Sequence, residues 1–363
     1  MSNDNLRVGL VGCGRVAQHY KYIFNQYGMD GIEITACCDI DRDKGQYMAD
    51  HYGAQYFSDY SEMLKNENID LVAVLTESGK HYNHTKMALD AGLHVIVEKP
   101  ITLIPEEAYE LEELASSKGL FLEGVFQNRF NPAIKKLREA FTDNRFGKII
   151  TCCIRLRWCR QQEYYEDGWH GTWKMDGGVI NQQAIHHIDA LNWLNGAVKR
   201  VCAAGTQRLN KLEAEDTMVA IIEFDNGSLG TVEVTTAARP EDFEASISVV
   251  GEKGMVSIGG VALNKIDLWH FIESVPGDEN VKETYSQNVP NGYGLGHKPL
   301  FDHLKEQFIS KSYHPSVSAT DAVKTLELVH ALYSSIEVGG WVNLSDKPRS
   351  KCLGIGGPPL SEN

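Results

Sequence analysis

Short β-branched apolar runs alternate with helix-compatible stretches along the first third of the chain. Runs at 6–11, 32–38, 71–76, 94–97 and 121–125 read as strands, and 18–27, 61–66, 82–91 and 105–118 read as helices between them. Strands that alternate with helices imply a parallel, doubly wound sheet. Beyond residue 125 the texture changes. A helix to Phe141 precedes period-two alternation, in which Cys152, Ile154, Leu156 and Trp158 oppose Arg155 and Arg157, and 217–224, 230–236 and 244–250 follow suit. Asn226-Gly227 between two such runs signals a hairpin. The expected architecture is an α/β Rossmann domain over 1–124, an α+β domain with an open, mainly antiparallel sheet over 125–345, and a tail over 346–363 that is mobile or crosses a neighbour. With few helices as cover, one sheet face is left for another copy, which predicts a homo-oligomer, dimer or tetramer.

A length of 363 residues exceeds what one core organises, in line with two domains. The net charge of -14 repels phosphate backbones, so nucleic acid is not an expected partner. No apolar run reaches the roughly 18 residues of a membrane span, and Met1 to Asn5 show no secretory pattern, so the expectation is a cytoplasmic protein without a membrane partner. The eight cysteines form no CxxC pair and no zinc spacing, and read as reduced thiols with no metal.

Gly12-Cys13-Gly14-Arg15-Val16-Ala17 sits between the first strand and the first helix. Gly12 permits a tight turn, Gly14 lets a pyrophosphate approach the backbone, and Ala17 lets helix and strand pack closely. The helix start at Arg15 and Val16 offers N–H groups to phosphate. Asp39 ends the second strand, 25 residues beyond Gly14, near the roughly 20 at which a carboxylate binds the adenosine ribose. An acid there favours NAD over NADP; the alternative is that Asp39 caps a helix beginning near Arg42. Thr76 and Glu98-Lys99-Pro100 fall at the carboxyl ends of strands, where such sheets bind ligands.

The glycine turn, Thr76-Glu77-Ser78-Gly79-Lys80-His81, Ala91-Gly92-Leu93-His94-Val95 and Glu98-Lys99-Pro100 together resemble the Gfo/Idh/MocA oxidoreductases. The resemblance implies a cis Lys99-Pro100 bond, Glu98 at the nicotinamide ribose, Lys99 at the reacting hydroxyl and His81 among the cofactor residues. Glu77 departs from the proline frequent in relatives.

In the second domain, 160–173 is rich in aromatics, amides and glycines with no clean period, which suits a binding loop. Residues 177–191 read as a glycine-led helix with Gln182, His186 and Asp189 on one face. Oxidation of a hydroxyl needs a base near neutral pH. Histidine fits unaided and lysine fits when its pKa is depressed, so His186 and Lys99 are the candidates; His187 is chemically equal, and only the family pattern prefers His186. That pattern has an aspartate where this chain has Gln182, an amide that accepts no proton.

The segment from Arg160 through Tyr164, Tyr165 and Trp173 to the Gln182–His186 helix, with 213–217 and 251–254, resembles the bacterial UDP-N-acetyl-2-amino-2-deoxyglucuronate 3-dehydrogenases within the family. This implies oxidation of a nucleotide sugar at C3, in surface polysaccharide biosynthesis. Arg160, Arg129, Lys99 and Lys174 are then the cations for an anionic substrate, with Gln127, Gln182, Gln183 and Tyr293 as further contacts. Arg155 and Arg157 read as outward strand positions without a site role. The loop 291–297 is either a diphosphate cradle or a connector. Alternatives within the fold are action on a free sugar or cyclitol, an NAD-using glycosidase, and a non-catalytic NAD(H) sensor.

Overall fold

The computed structural model describes residues 5–360; the chain start that was read for a leader lies largely outside them. The strands are β1 (Leu6–Val11), β2 (Ile32–Cys38), β3 (Gln55–Phe57), β4 (Leu71–Val74), β5 (His94–Val97), β6 (Leu122–Gly124), β7 (Ile149–Arg157), β8 (Val198–Thr206), β9 (Thr217–Phe224), β10 (Leu229–Thr235), β11 (Glu244–Gly251), β12 (Gly254–Gly259), β13 (Lys265–Phe271) and β14 (Val342–Asn343). The helices are α1 (Arg15–Tyr27), α2 (Arg42–Tyr52), α3 (Tyr60–Met63), α4 (His81–Asp90), α5 (Pro105–Lys118), α6 (Pro132–Thr142), α7 (Val179–Gln182), α8 (Ile185–Asn195), α9 (Val281–Tyr285), α10 (His297–Ser310) and α11 (Ala319–Val338). The chain divides into two compact units, one of residues up to Phe126 plus His297–Val323, the other of Gln127–Gly296 plus the residues from Lys324 on.

The first unit is a six-stranded parallel sheet in the order β3-β2-β1-β4-β5-β6. This is the doubly wound arrangement that the alternating pattern predicts, and its strands are buried almost throughout. Local chemistry sets the helix ends: the Asp41 side chain accepts the Asp43 and Lys44 N–H groups at the start of α2, and Gly53 closes it in the left-handed conformation. Residues 297–323 belong to this unit although the sequence reading groups them with the second. The reason is apolar packing: Phe301 of α10 lies 4.8 Å from Tyr20 and 4.6 Å from Phe24, both on α1.

The second unit holds an eight-stranded sheet in the order β13-β12-β11-β7-β10-β9-β8-β14, antiparallel except for the β7/β10 pair. Cys152, Ile154 and Leu156 are buried while Arg155 and Arg157 point outward, Arg157 to Glu233 at 2.5 Å and Glu244 at 3.1 Å. The hairpin at Asn226-Gly227 joins β9 to β10, with Gly227 at φ 82°. Two readings are corrected. The helix at 177–191 is broken into α7 and α8 around Gln183 and Ala184. The tail is packed on its own unit, Gly354 N–H on the Trp173 carbonyl and Leu360 N–H on the Glu213 carbonyl. Among the described residues no helix is long and apolar enough to cross a membrane, and no cluster of metal-binding side chains exists.

Candidate active site

In the first unit, β1 feeds the glycine turn and α1 leaves it. Gly12 has φ 89°, and a Cβ there would stand 2.7 Å from the Leu75 carbonyl oxygen, so only glycine fits. At Gly14 a Cβ would meet nothing within 4 Å; the space beside the backbone is open, as a pyrophosphate requires. Arg15 is exposed and Val16 half-buried at the start of α1, which has no side-chain cap. Asp39 accepts the Cys13 N–H at 2.7 Å and the Asp41 N–H at 2.8 Å. The helix cap is Asp41, so capping does not account for Asp39, whose half-exposed carboxylate stands against the turn. These residues fit an NAD molecule.

At the neighbouring strand ends, the Lys99-Pro100 bond is cis and Lys99 is half-exposed. His81 has both ring nitrogens against backbone carbonyls. It is 1% exposed, with Nδ1 2.6 Å from the Pro100 carbonyl and Nε2 3.0 Å from the Thr76 carbonyl, and so ties the two loops together from beneath. The Thr76 hydroxyl is 3.0 Å from His84 Nδ1. Glu98 is buried, accepting the Tyr20 hydroxyl at 3.1 Å and lying 3.3 Å from His297 Nε2. Burial pushes its pKa up, but His297, Lys99 and Tyr20 bring it net below the usual value. It is an internal anchor beside Lys99.

In the second unit, α7 and α8 lie behind the aromatic loop. Gln182 donates from Nε2 to Asp176 Oδ1 at 2.6 Å. His186 is buried on α8. His187, next to it, is a core residue: burial lowers its pKa to about 4, neither ring nitrogen is hydrogen-bonded, and it lies edge-on to Trp158 at 6.3 Å. A group so hard to protonate is a poor base near neutral pH, which leaves His186 of the pair. Asp189, three residues beyond His186 on α8, is committed inside the unit: it accepts Arg129 at 2.8 and 2.6 Å and the Thr325 hydroxyl at 3.0 Å.

Several residues expected at the substrate have partners inside the second unit. Arg129 is buried in that bidentate pair, 5.1 Å from the Trp193 ring, its charge committed inside the unit. Trp173 is 2% exposed, donates its indole N–H to the Pro358 carbonyl at 3.1 Å and packs edge-on to Tyr333, so it is a core residue. Tyr165 is bonded to the Thr236 hydroxyl at 2.7 Å, and Gln127 is buried under Gly296, where a Cβ would meet its carbonyl at 2.1 Å. The glycines of 291–297 have packing reasons as well, Gly292 against Trp158 and Gly294 at φ 67°, with Tyr293 half-exposed between them. Arg160 and Tyr164 do come together, 5.7 Å apart; Arg160 also reaches Asp242 at 3.0 Å, and Gln183 donates to the Tyr164 hydroxyl at 3.3 Å. Lys174 is exposed. Sequence reasoning passed over His170, which lies 2.5 Å from Asp167 and 4.2 Å from the Tyr164 ring, and also Asp176. A histidine three residues after an aspartate in an aromatic loop was the available signal for the first; nothing local marks the second.

Fold and glycine turn define an NAD-dependent oxidoreductase. The chain belongs to the Gfo/Idh/MocA oxidoreductase family, matching its NAD-binding Rossmann fold over residues 6–124 and its C-terminal alpha/beta domain over 138–344. The WlbA dehydrogenase of Bordetella pertussis, solved with NADH and UDP-GlcNAcA, is 34% identical with a TM-score of 0.88, over 94% of this chain and 99% of that one. The WlbA dehydrogenase of Chromobacterium violaceum, solved with the same two ligands, is 33% identical with a TM-score of 0.87, over 94% and 97%. The D-glucoside 3-dehydrogenase of Escherichia coli is 29% identical, over 95% of this chain and 99% of its own length.

Proposed function

We propose that the protein oxidises the C3 hydroxyl of UDP-N-acetyl-2-amino-2-deoxy-D-glucuronate to the ketone, a cytoplasmic step toward a surface polysaccharide. What carries the reading is the end-to-end similarity, above 30% identity, to two dehydrogenases that hold NADH and UDP-GlcNAcA. NAD, held by the Gly12–Gly14 turn, the helix start at Arg15 and Val16, and Asp39, supplies the hydride acceptor. Because the Gln182 amide takes no proton, the candidate acceptors of the hydroxyl proton are His186 and Lys99. The cis turn and the buried Glu98 hold the Lys99 backbone in place. Arg160, Tyr164 and Gln183 form the polar and aromatic wall for the sugar nucleotide. The outward sheet face, where Val219, Ile221, Leu229 and Val250 are exposed, takes a second copy of the chain.

A second reading, oxidation of an uncharged glucoside at the same carbon, has its own support. Arg129 and Arg160 are each already paired with a carboxylate, and the glucoside dehydrogenase matches over the whole chain. NADH absorbance measured with UDP-N-acetylglucosaminuronate and with methyl β-D-glucoside decides between them. Turnover of the first at the lower KM is expected; turnover of the glucoside alone would replace the first reading by the second.

A further inference from the structure

His297 is the first residue of α10 and shares a helix face with Phe301, four residues on. Phe301 packs on Tyr20 and Phe24 of α1, and this contact brings His297 to Glu98, just past the end of β5. The His297 side chain is 1% exposed, its ring 4.9 Å from that of His19 and 5.2 Å from that of Tyr20. All of these residues belong to the first unit. Glu98, its pKa net below the usual value, is ionised and only accepts hydrogen bonds. Its Oε1 takes the Tyr20 hydroxyl at 3.1 Å and stands 3.3 Å from His297 Nε2, while its Oε2 takes the Lys99 N–H at 3.3 Å. The hydrogen in the His297 contact therefore lies on Nε2, whichever charge the ring carries. Nδ1 has no hydrogen-bond partner, and among the described residues Glu98 is the only group that this ring bonds. Among them, too, His297 is the only ion-pair partner of Glu98.

We infer that His297 is a positioning residue for the Lys99 turn: its Nε2–H, with the Tyr20 hydroxyl, pins one oxygen of Glu98 so that the other holds the Lys99 N–H. This rests on the reading of Lys99 as a candidate proton acceptor; His297 acts through the backbone and touches neither sugar nor cofactor. Burial is the physical reason for the device. A carboxylate taken out of water keeps its charge only while donors replace the lost hydration, and charge-assisted hydrogen bonds replace it best. Tyr20 is a constant donor, because burial and the Glu98 charge push its pKa up. The remaining titratable neighbours do not substitute for His297. Burial lowers the His19 pKa to about 3, both ring nitrogens of His81 face backbone carbonyls, and Glu123 is itself an acid. Lys99 favours the carboxylate too, but it is the group being positioned. Without the imidazole Glu98 takes up a proton, and its hold on the Lys99 N–H weakens. Misplacing a reacting group in this way costs rate rather than binding.

Two substitutions separate hydrogen bonding from packing. His297→Phe keeps a ring against Tyr20 and Phe301 but has no N–H, whereas His297→Gln has no ring but offers an amide N–H to Glu98. KM and kcat are measured from NADH formation with whichever of UDP-N-acetylglucosaminuronate and methyl β-D-glucoside the unaltered enzyme oxidises, and NAD affinity by fluorescence titration. His297→Phe should lower kcat at least about tenfold with KM and NAD affinity within about threefold, and His297→Gln should return kcat to within about threefold of the unaltered enzyme. Unchanged kcat in His297→Phe, a Gln variant more impaired than the Phe variant, or a loss of NAD affinity that matches the loss of kcat overturns the inference. Infrared spectra give a second readout, the charge on Glu98 itself. At a pH of about 5, His297→Phe should show a protonated-carboxyl band that is absent from the unaltered protein and vanishes in His297→Phe/Glu98→Gln. Absence of that band overturns the inference. If His297→Phe does not fold, His297→Leu takes its place in both measurements. Should neither sugar be oxidised, or Lys99→Met leave kcat unchanged, the substrate reading or the role of Lys99 fails by itself, and the infrared band decides whether His297 holds Glu98.

Discussion

Glu215 offers a test of how burial controls the site's supporting frame. Its side chain is fully buried. Oε1 accepts the Ile180 N–H at 3.0 Å and the Tyr333 hydroxyl at 3.2 Å, while Oε2 has no hydrogen-bond partner and faces Gly178, where a Cβ would lie 2.2 Å away. Burial raises the carboxyl pKa from 4.5 to about 8, against the Ile180 and Tyr333 hydrogen bonds that favour the anion. Between those two values the native state keeps a proton that the unfolded chain has lost. Stability from this group is therefore complete below pH 4.5 and is lost as pH rises through about 8. The slope is about 1.4 kcal/mol per pH unit, with a ceiling of about 5 kcal/mol over the window. Glu215→Gln keeps the shape and the acceptor oxygen but carries no charge at any pH. In urea titrations at several pH values between about 5 and 9, the stability difference between Glu215→Gln and the unaltered protein should grow in the variant's favour by about 1.4 kcal/mol per unit and level off above about pH 8. A difference that stays constant, or moves the other way, refutes the burial argument. Since Glu215 holds the start of α7, the variant should also keep its activity to higher pH.

Lys99→Met and His186→Ala should each lower kcat by about a hundredfold or more while NAD affinity, read by calorimetry, is unchanged. Asp39→Ala should weaken NAD binding by about 10- to 100-fold and narrow the preference over NADP, which titrations with both cofactors will show. Trp173→Ala should cost about 3–5 kcal/mol in unfolding experiments with KM unaltered in the folded fraction, because the ring is core rather than substrate wall.

Much of the fold was legible because it is written in local spacing. The change from strand–helix alternation to period-two alternation marked the two kinds of sheet, and the Asn226-Gly227 hairpin followed from turn chemistry. The glycine turn was equally readable, since Gly12 and Gly14 sit at fixed offsets along one strand–turn–helix unit. What stayed illegible was which polar side chain already has a partner. Arg129 and Trp173 have the right chemistry for a substrate wall, yet Asp189, 60 residues away, holds the first and the tail carbonyl of Pro358, 185 residues away, holds the second. His186 and His187 are identical in the sequence, and only packing separates a core imidazole from a candidate base.

Sequence alone determined the strand–helix alternation and the cofactor turn, because these depend on neighbours within a turn or a strand. Tertiary structure decided which charges are spent internally, where the helix breaks before Ile185, and that Asp176 stands behind Gln182. Those outcomes depend on contacts between segments far apart in the chain, where desolvation and pairing, rather than residue type, set what a side chain is able to do.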